Sequence, residues 1–319
     1  MRRCTSKPKL LVVGSMNMDL VFSGTPRIPV YGESVRCGSY SFIPGGKGTN
    51  QAFAAAKLGS RPTLVGRVGD DEYGRCLMSE LEVAQVDTRF IVRDVEAQTG
   101  FALMCVAEGG RYVSYHIAGA NLGLDASAVE RALKGGSFDM VILQLEIPLE
   151  TVYRTYELSK KNGVPVFLDA GPAMSIDLEP FKGLHIISPN EAETVAMSGI
   201  EPQTEADARD AAELLFERAG PRYVILKLGG RGAYFFDGAD GRLIPAFVVN
   251  AIDSTAAGDT FNAALVTRLC RGDSIEHAIT VAHAAAAICV SRKGALPSIP
   301  AEAEVDAFLR HEQASRRES

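Results

Sequence analysis

Short aliphatic runs alternate with longer helical stretches along most of this chain, and that alternation restricts the possible folds more than any other feature. Residues 10–13, 64–68, 140–145, 165–168, 185–187 and 223–228 are each bounded by Gly, Pro or polar residues. Such short apolar runs suit strands buried on both faces of a parallel sheet. Between them, 49–58, 72–84, 126–134, 149–161, 190–197 and 205–218 carry helical patterning, with Thr204 ahead of acidic residues as a start signal. The combination predicts an α/β fold: a doubly wound, mostly parallel central sheet with helices on both faces. The last third departs from strict alternation. Two hairpin-like strands near 233–237 and 242–249 precede helices at 256–270, 275–290 and 301–311.

Two segments have no helix of their own and so fit no crossover unit. In 21–43, Pro26, Pro29 and Gly32 punctuate short β-like runs. In 99–117, two alternating runs flank Glu108-Gly109-Gly110-Arg111, which reads as a hairpin turn. Insertions at about 20–43 and 98–118 are therefore expected to pair into a small β-sheet lid over one α/β domain spanning 9–311. Residues 1–8 and 312–319 read as flexible termini. An apolar outer face on that lid would need a second copy of the chain to cover it, so a homodimer is expected.

Composition narrows the partners. Of 319 residues, 46% are hydrophobic and 23% charged, which excludes wholesale disorder. The formal net charge is −6 and no basic tract is present, which argues against nucleic acid. No apolar run reaches the roughly 20 residues of a membrane span, and no signal-type segment is present, so a cytoplasmic protein is expected. Six scattered cysteines without a C-x-x-C pair suit free thiols in a reducing compartment. The five histidines lack metal-ligand spacing.

Three glycine-rich clusters carry the chemistry. Gly45-Gly46-Lys47-Gly48-Thr49-Asn50-Gln51 lacks the Lys-Ser/Thr ending of a P-loop. It is either a plain tight turn or a helix start where a polar ligand approaches the backbone, with Lys47 and Asn50 as donors. Asp253-Ser254-Thr255-Ala256-Ala257-Gly258-Asp259 precedes an alanine-rich helix. Bare amides at a helix start form an anion site, and a carboxylate beside it can take a proton from a hydroxyl attacking phosphorus. Asp259 could also do no more than favour the helix dipole. Lys227-Leu228-Gly229-Gly230-Arg231-Gly232 ends an apolar strand and suits either a nucleotide or a hairpin turn.

Taken together, these clusters resemble the PfkB-type carbohydrate kinases, in particular the branch that phosphorylates D-ribose. The same order holds for Gly14-Ser15-Met16-Asn17-Met18-Asp19, Gln144-Leu145-Glu146, Pro189-Asn190-Glu191-Ala192-Glu193 and Arg292-Lys293-Gly294-Ala295-Leu296-Pro297-Ser298, so the likeness covers about 9–309.

The resemblance implies ATP-dependent transfer to the 5-hydroxyl of D-ribose, giving ribose 5-phosphate and ADP, with a lid sheet and a homodimer. It implies sugar contacts at Asn17, Asp19, Gly45, Gly46, Lys47, Asn50 and Glu146, with Asp259 as base. Ala256, Ala257 and Gly258 form the implied anion hole. Asn190, Lys227, Gly229, Gly230, Gly232, Gly258 and His283 are the implied nucleotide contacts. Glu193 would support Mg²⁺ through water. Asp253, Thr255, Cys289, Arg292, Gly294 and Ser298 would hold a monovalent cation, K⁺, mostly through backbone oxygens. Two positions depart from the family pattern: Ala256 where Gly is common, and Lys227 where Thr is common. A kinase for deoxyribose, fructose or a nucleoside is the alternative, followed by a non-catalytic sugar-binding regulator.

Overall fold

The structure is a computed structural model and describes residues 6–107 and 112–318. The expected turn at 108–111 lies outside the described residues, as do residues 1–5. In chain order the strands are β1 Lys9–Val13, β2 Asn17–Thr25, β3 Ser39–Gly45, β4 Arg61–Gly69, β5 Asp87–Asp94, β6 Gly100–Ala107 and β7 Tyr112–Ile117. They continue with β8 Met140–Leu143, β9 Val166–Asp169, β10 Ile186–Ser188, β11 Tyr223–Lys227, β12 Ala233–Phe236 and β13 Gly241–Ile244. The helices are α1 Lys47–Lys57, α2 Glu72–Val83, α3 Ala126–Gly135, α4 Leu149–Lys161 and α5 Glu191–Ser198. They end with α6 Glu205–Ala219, α7 Ala257–Cys270, α8 Ile275–Val290 and α9 Glu302–Glu318.

Nine strands form the main sheet in the order β13-β12-β11-β10-β9-β8-β1-β4-β5. All pairs are parallel except β11–β12 and β12–β13. Successive residues of β1 supply opposite cores. Leu10 and Val12 pack with α1, α7 and α8, while Leu11 and Val13 pack with α3, α4 and α6. All four are fully buried, the arrangement a doubly wound sheet requires.

A second, four-stranded sheet has the order β3-β2-β6-β7, with β2 and β6 parallel in its middle. The register places Asn17 between Gly45 and Gly100 on one face, with Asp19 two residues on. Leu20, Phe42, Leu103 and Tyr115 lie in one row of the opposite face.

Two elements differ from the sequence reading. Strand β5 was not anticipated, because its half-exposed Asp87, Arg89, Arg93 and Asp94 hide the apolar pattern of an edge strand. Helix α9 runs to Glu318, seven residues past the helix end expected at His311, so the polar tail expected to fray from 312 continues the helix to Glu318. Its Glu, Gln, Ala and Arg residues are good helix formers.

Candidate active site

The carboxyl ends of β1, β8, β9, β10 and β11 converge on one crevice, where open α/β sheets bind their ligands. Glycines make room there. Gly46 caps α1 at φ 87°, and a Cβ on it would lie 2.7 Å from the Asn17 nitrogen. A Cβ on Gly48 would sit 2.6 Å from the Gly14 carbonyl carbon, so α1 starts directly against the end of β1. The glycine cluster therefore serves both alternatives read from the sequence: a tight turn, and a helix start close to polar groups.

Carboxylates and amines fill the crevice. Asp259, in the first turn of α7, is 6% exposed. Its carboxylate accepts from Asn50 Nδ2 and Gln51 Nε2, each at 2.9 Å. Burial pushes its pKa up to about 6 and Asp169 adds to that, against Lys47 and the two amide donors. Asp169, at the end of β9, is fully buried. It accepts from Lys227 Nζ at 2.8 Å, Lys47 Nζ at 3.0 Å and Gln51 Nε2 at 2.8 Å. Burial opposes its ionisation, but the two ammonium groups hold its carboxyl well below the usual range. Burial also lowers the affinity of Lys47 for its proton. The surrounding carboxylates, led by Asp169 and Asp259, outweigh that and keep it charged.

On the small sheet, burial pushes the Asp19 carboxyl up to about 7, helped by Glu146 and Asp259. A Cβ on Gly45 would reach within 2.4 Å of Asp19 Oδ2, so glycine is required beside that carboxylate. Glu146 accepts from the Ser15 hydroxyl and, at 3.3 Å, from the Lys47 backbone N–H. Asn50 is 6% exposed, and its Oδ1 has no hydrogen-bond partner among the described residues.

Beyond Asp259 lies a cavity of about 450 Å³. Lys227, Gly229, Gly230 and Gly232 line one side and Ala257, Gly258 and His283 the other. Ala256 takes the left-handed conformation, φ 60°, as the residue before α7. This turns the chain so that the first amides of α7, which have no acceptor inside the helix, lead into the cavity. A Cβ on Gly258 would meet nothing within 4 Å. His283 is 6% exposed and its Nε2 lies 3.1 Å from the Ile244 oxygen. Burial pushes its pKa down to about 4, so it is neutral at pH 7. A larger cavity, about 520 Å³, lies beside Lys9 and Arg61 at the opposite ends of the strands, away from these carboxylates.

Not every expected residue faces this cavity. Asn190 caps α5 and forms a capping box with Glu193. Asn190 N and Nδ2 donate to the Glu193 carboxylate at 2.7 and 2.9 Å. Glu193 also lies beside the lysine cluster, since a Cβ on Gly171 would touch both its Oε1 and Lys47 Nζ. Asp253, Thr255, Cys289, Gly294 and Ser298 do come together. Asp253 accepts from Thr255 N at 2.9 Å and from Gly294 N at 2.9 Å, and Cys289 Sγ lies 3.0 Å from Ser298 Oγ. The Arg292 side chain turns away to Glu304, 2.6 Å, so Arg292 brings only its backbone to this cluster. Carboxylate and carbonyl oxygens suit a hard monovalent cation. Among the described residues, no three His, Cys, Asp or Glu side chains are grouped as a metal centre.

Asp169 and Asn121 were missed in the sequence, and Gln51 and Gln144 were quoted within motifs but given no role. Asp169 ends a strand at the carboxyl edge of a parallel sheet, a position that could have marked it. Gln144 Nε2 donates to Gln51 Oε1 at 2.6 Å, which fixes the Gln51 amide toward the two aspartates.

A pfkB family carbohydrate kinase profile matches residues 7–302. This chain belongs to that family. It is 37% identical over 303 residues to the ribokinase of Haemophilus influenzae, covering 95% of this chain and 98% of the relative. The structure of Arabidopsis thaliana ribokinase complexed with ribose and ATP superposes with a TM-score of 0.87 at 31% identity, covering 95% and 99% of the two chains. The ribokinase structure from Thermotoga maritima gives 0.84 at 36% identity, covering 95% and 99%. The carbohydrate-kinase fold, with its large parallel sheet and separate small sheet, is thus the one expected from the sequence.

Proposed function

We propose that this chain phosphorylates the 5-hydroxyl of D-ribose with ATP, giving ribose 5-phosphate and ADP. The observation that carries this reading is the placement of Asp259. Its carboxylate is tied to Asn50 and Gln51 on one side, and its helix start opens on the glycine-lined cavity on the other. Asp259 takes the proton of the sugar's primary hydroxyl as the oxygen attacks the terminal phosphorus in line. The Gly258 amide stabilises the charge that builds on the transferred group, and the Ala257 amide, which donates to the Ser254 oxygen at 3.2 Å, lies beside it. Asn17, Asp19, Gly45, Gly46, Lys47 and Glu146 hold the sugar, and the bare Asn50 Oδ1 accepts from one of its hydroxyls. ATP occupies the cavity between Gly229, Gly230, Gly232 and His283, with Asn190 and Lys227 at its edge.

Glu193 would support, through water, an Mg²⁺ carried in with ATP, and that ion would supply neutralisation of phosphate charge. The Asp253–Ser298 cluster fits K⁺, which would brace the loop ahead of α7. The small sheet acts as a lid that excludes water. Tyr40, Phe42, Tyr115 and Ile117 are exposed on the face opposite Asn17 and Asp19, which supports a homodimer formed through that sheet. None of the five described cysteines is in a disulfide, and no helix among the described residues is long and apolar enough to cross a membrane. Both facts are compatible with a cytoplasmic location.

The test is a panel of D-ribose, 2-deoxy-D-ribose, D-fructose and nucleosides assayed for ADP release with ATP and Mg²⁺, with and without K⁺. The highest kcat/KM is expected for D-ribose. A preference for a nucleoside, or ADP release independent of any sugar, overturns the reading.

A further inference from the structure

The orientation of the Asn17 amide is decided by a residue more than a hundred positions later in the chain. Asn121 lies in the turn that follows β7 and is 1% exposed. Its Oδ1 faces the backbone N–H of Met16 at 2.9 Å. A backbone N–H can only donate, so this contact settles which end of the Asn121 amide is oxygen. The nitrogen must then point the other way. It does, donating to the Met16 oxygen at 3.2 Å, the Ala118 oxygen at 2.9 Å and Asn17 Oδ1 at 2.8 Å. Asn17 therefore turns its oxygen to Asn121, which fixes the amide's orientation and directs its NH₂ the other way.

Three further features make this a built arrangement. A Cβ on Gly100 would lie 2.2 Å from both Asn121 Nδ2 and Asn17 Oδ1, so glycine is required for the two amides to meet. Gly119, at φ 51°, turns the chain that delivers Asn121. Met16, gripped at both its N–H and its carbonyl, joins β1 to β2, so the main sheet and the small sheet are pinned at the point from which Asn17 projects.

We propose that Asn121 is a positioning residue for the sugar: by fixing the orientation of the Asn17 amide it presents the Asn17 NH₂ as a donor, beside the acceptor Asp19 on the same face. A hydroxyl that accepts from Asn17 and gives its own proton to Asp19 satisfies both. A ligand lacking a hydroxyl at that point leaves the Asn17 NH₂ or the Asp19 carboxylate without a partner. The inference rests on the reading above that Asn17 meets the sugar.

A double-mutant cycle in the full chain tests it, with KM for D-ribose, KM for ATP, kcat and thermal midpoint measured for Asn17→Ala, Asn121→Ala and the double variant. Asn17→Ala and Asn121→Ala are each expected to raise KM for ribose about 5- to 10-fold, the loss of one net hydrogen bond or slightly more. KM for ATP should not move. The double variant should resemble Asn17→Ala alone, because Asn121 acts through Asn17. Unchanged ribose KM in Asn17→Ala overturns the sugar contact itself. A raised KM there, with Asn121→Ala either silent on KM or fully additive, overturns the positioning role. A lower thermal midpoint with normal KM marks Asn121 as structural only. Should Asn121→Ala fail to fold, Asn121→Ser replaces it in the same cycle, and the same outcomes decide.

Discussion

Asp169 and Asp259 share one amide nitrogen: Gln51 Nε2 donates to both, at 2.8 and 2.9 Å. The two buried carboxylates have opposite fates. Asp169 takes two ammonium groups and stays ionised, whereas Asp259 takes neutral amides and is pushed up to about 6. Such a divergence between neighbouring acids suits the proposed division of roles, in which Asp169 holds charge and Asp259 exchanges protons.

Asp259→Asn should therefore lower kcat by at least about 10²-fold, the low end for a positioned proton transfer, while KM for ribose changes little. Asparagine keeps the shape and can still accept from Gln51. Turnover within tenfold of the parent enzyme would remove Asp259 from the chemistry.

The pH profile follows from the same residue. The base works only when deprotonated, so log kcat/KM for ribose should rise through pH 6 and level off above it. Stability runs the other way. The folded-state pKa values of Asp19 and Asp259, about 7 and about 6, lie above their ordinary value of 3.8. Their contribution to stability is full below about pH 4 and is lost as pH rises through 6 to 7. Denaturant titrations of the parent and Asp19→Asn between pH 5 and 8 would show it, with the variant losing part of the decline. Rates flat down to pH 5 would contradict the assignment of the base.

Asp169→Asn removes the one carboxylate that Lys47 and Lys227 share. Breaking a buried pair on one side costs about 3–5 kcal/mol, so a marked drop in the denaturation midpoint is expected. Adding Lys227→Met should recover part of it, because one stranded ammonium is then gone. No recovery would mean that Lys47 alone carries the penalty.

Two glycines should separate structure from function. Gly48→Ala places a methyl 2.6 Å from backbone and should destabilise the fold. Gly258→Ala meets nothing within 4 Å and lies in a first helical turn. Alanine there should leave stability unchanged or raise it by up to about 1 kcal/mol of helix propensity, so the thermal midpoint should not fall. The methyl would nevertheless intrude where the phosphate is expected, so kcat or ATP affinity should fall. Normal kinetics in Gly258→Ala would displace the proposed anion hole.

Replacing K⁺ with tetramethylammonium at constant ionic strength should lower kcat if the Asp253 cluster binds a cation. Asp253→Ala should lose that dependence. Equal rates in both salts would leave the cluster a purely structural turn.

Much of this was legible in the sequence because it is local. The buried strands of the main sheet read directly from runs such as residues 10–13, and Asp259 announced itself beside three small residues at a helix start. Asp169 and Gln51 were not legible. Each looks ordinary in its own segment, an aspartate at a strand end and a glutamine in a helix, and their carboxylate and ammonium partners lie 58 to 208 residues away. Lys227 was read as a nucleotide contact; it lines the cavity, and its ammonium is also held by Asp169, a pairing no local pattern encodes. Strand β5 was hidden because an edge strand with one half-exposed face needs less apolar sequence.

The parallel pairing of β2 with β6 has a mechanical consequence. The two insertions that build the small sheet are stitched together along its midline, so neither can peel away as a separate flap. If the sheet moves, it must move as a single plank that carries Asn17 and Gly100 together. Under the proposed function, any displacement of that plank would carry Asn17 and Asp19 off together, so an open molecule would lose its grip on the pentose in one step.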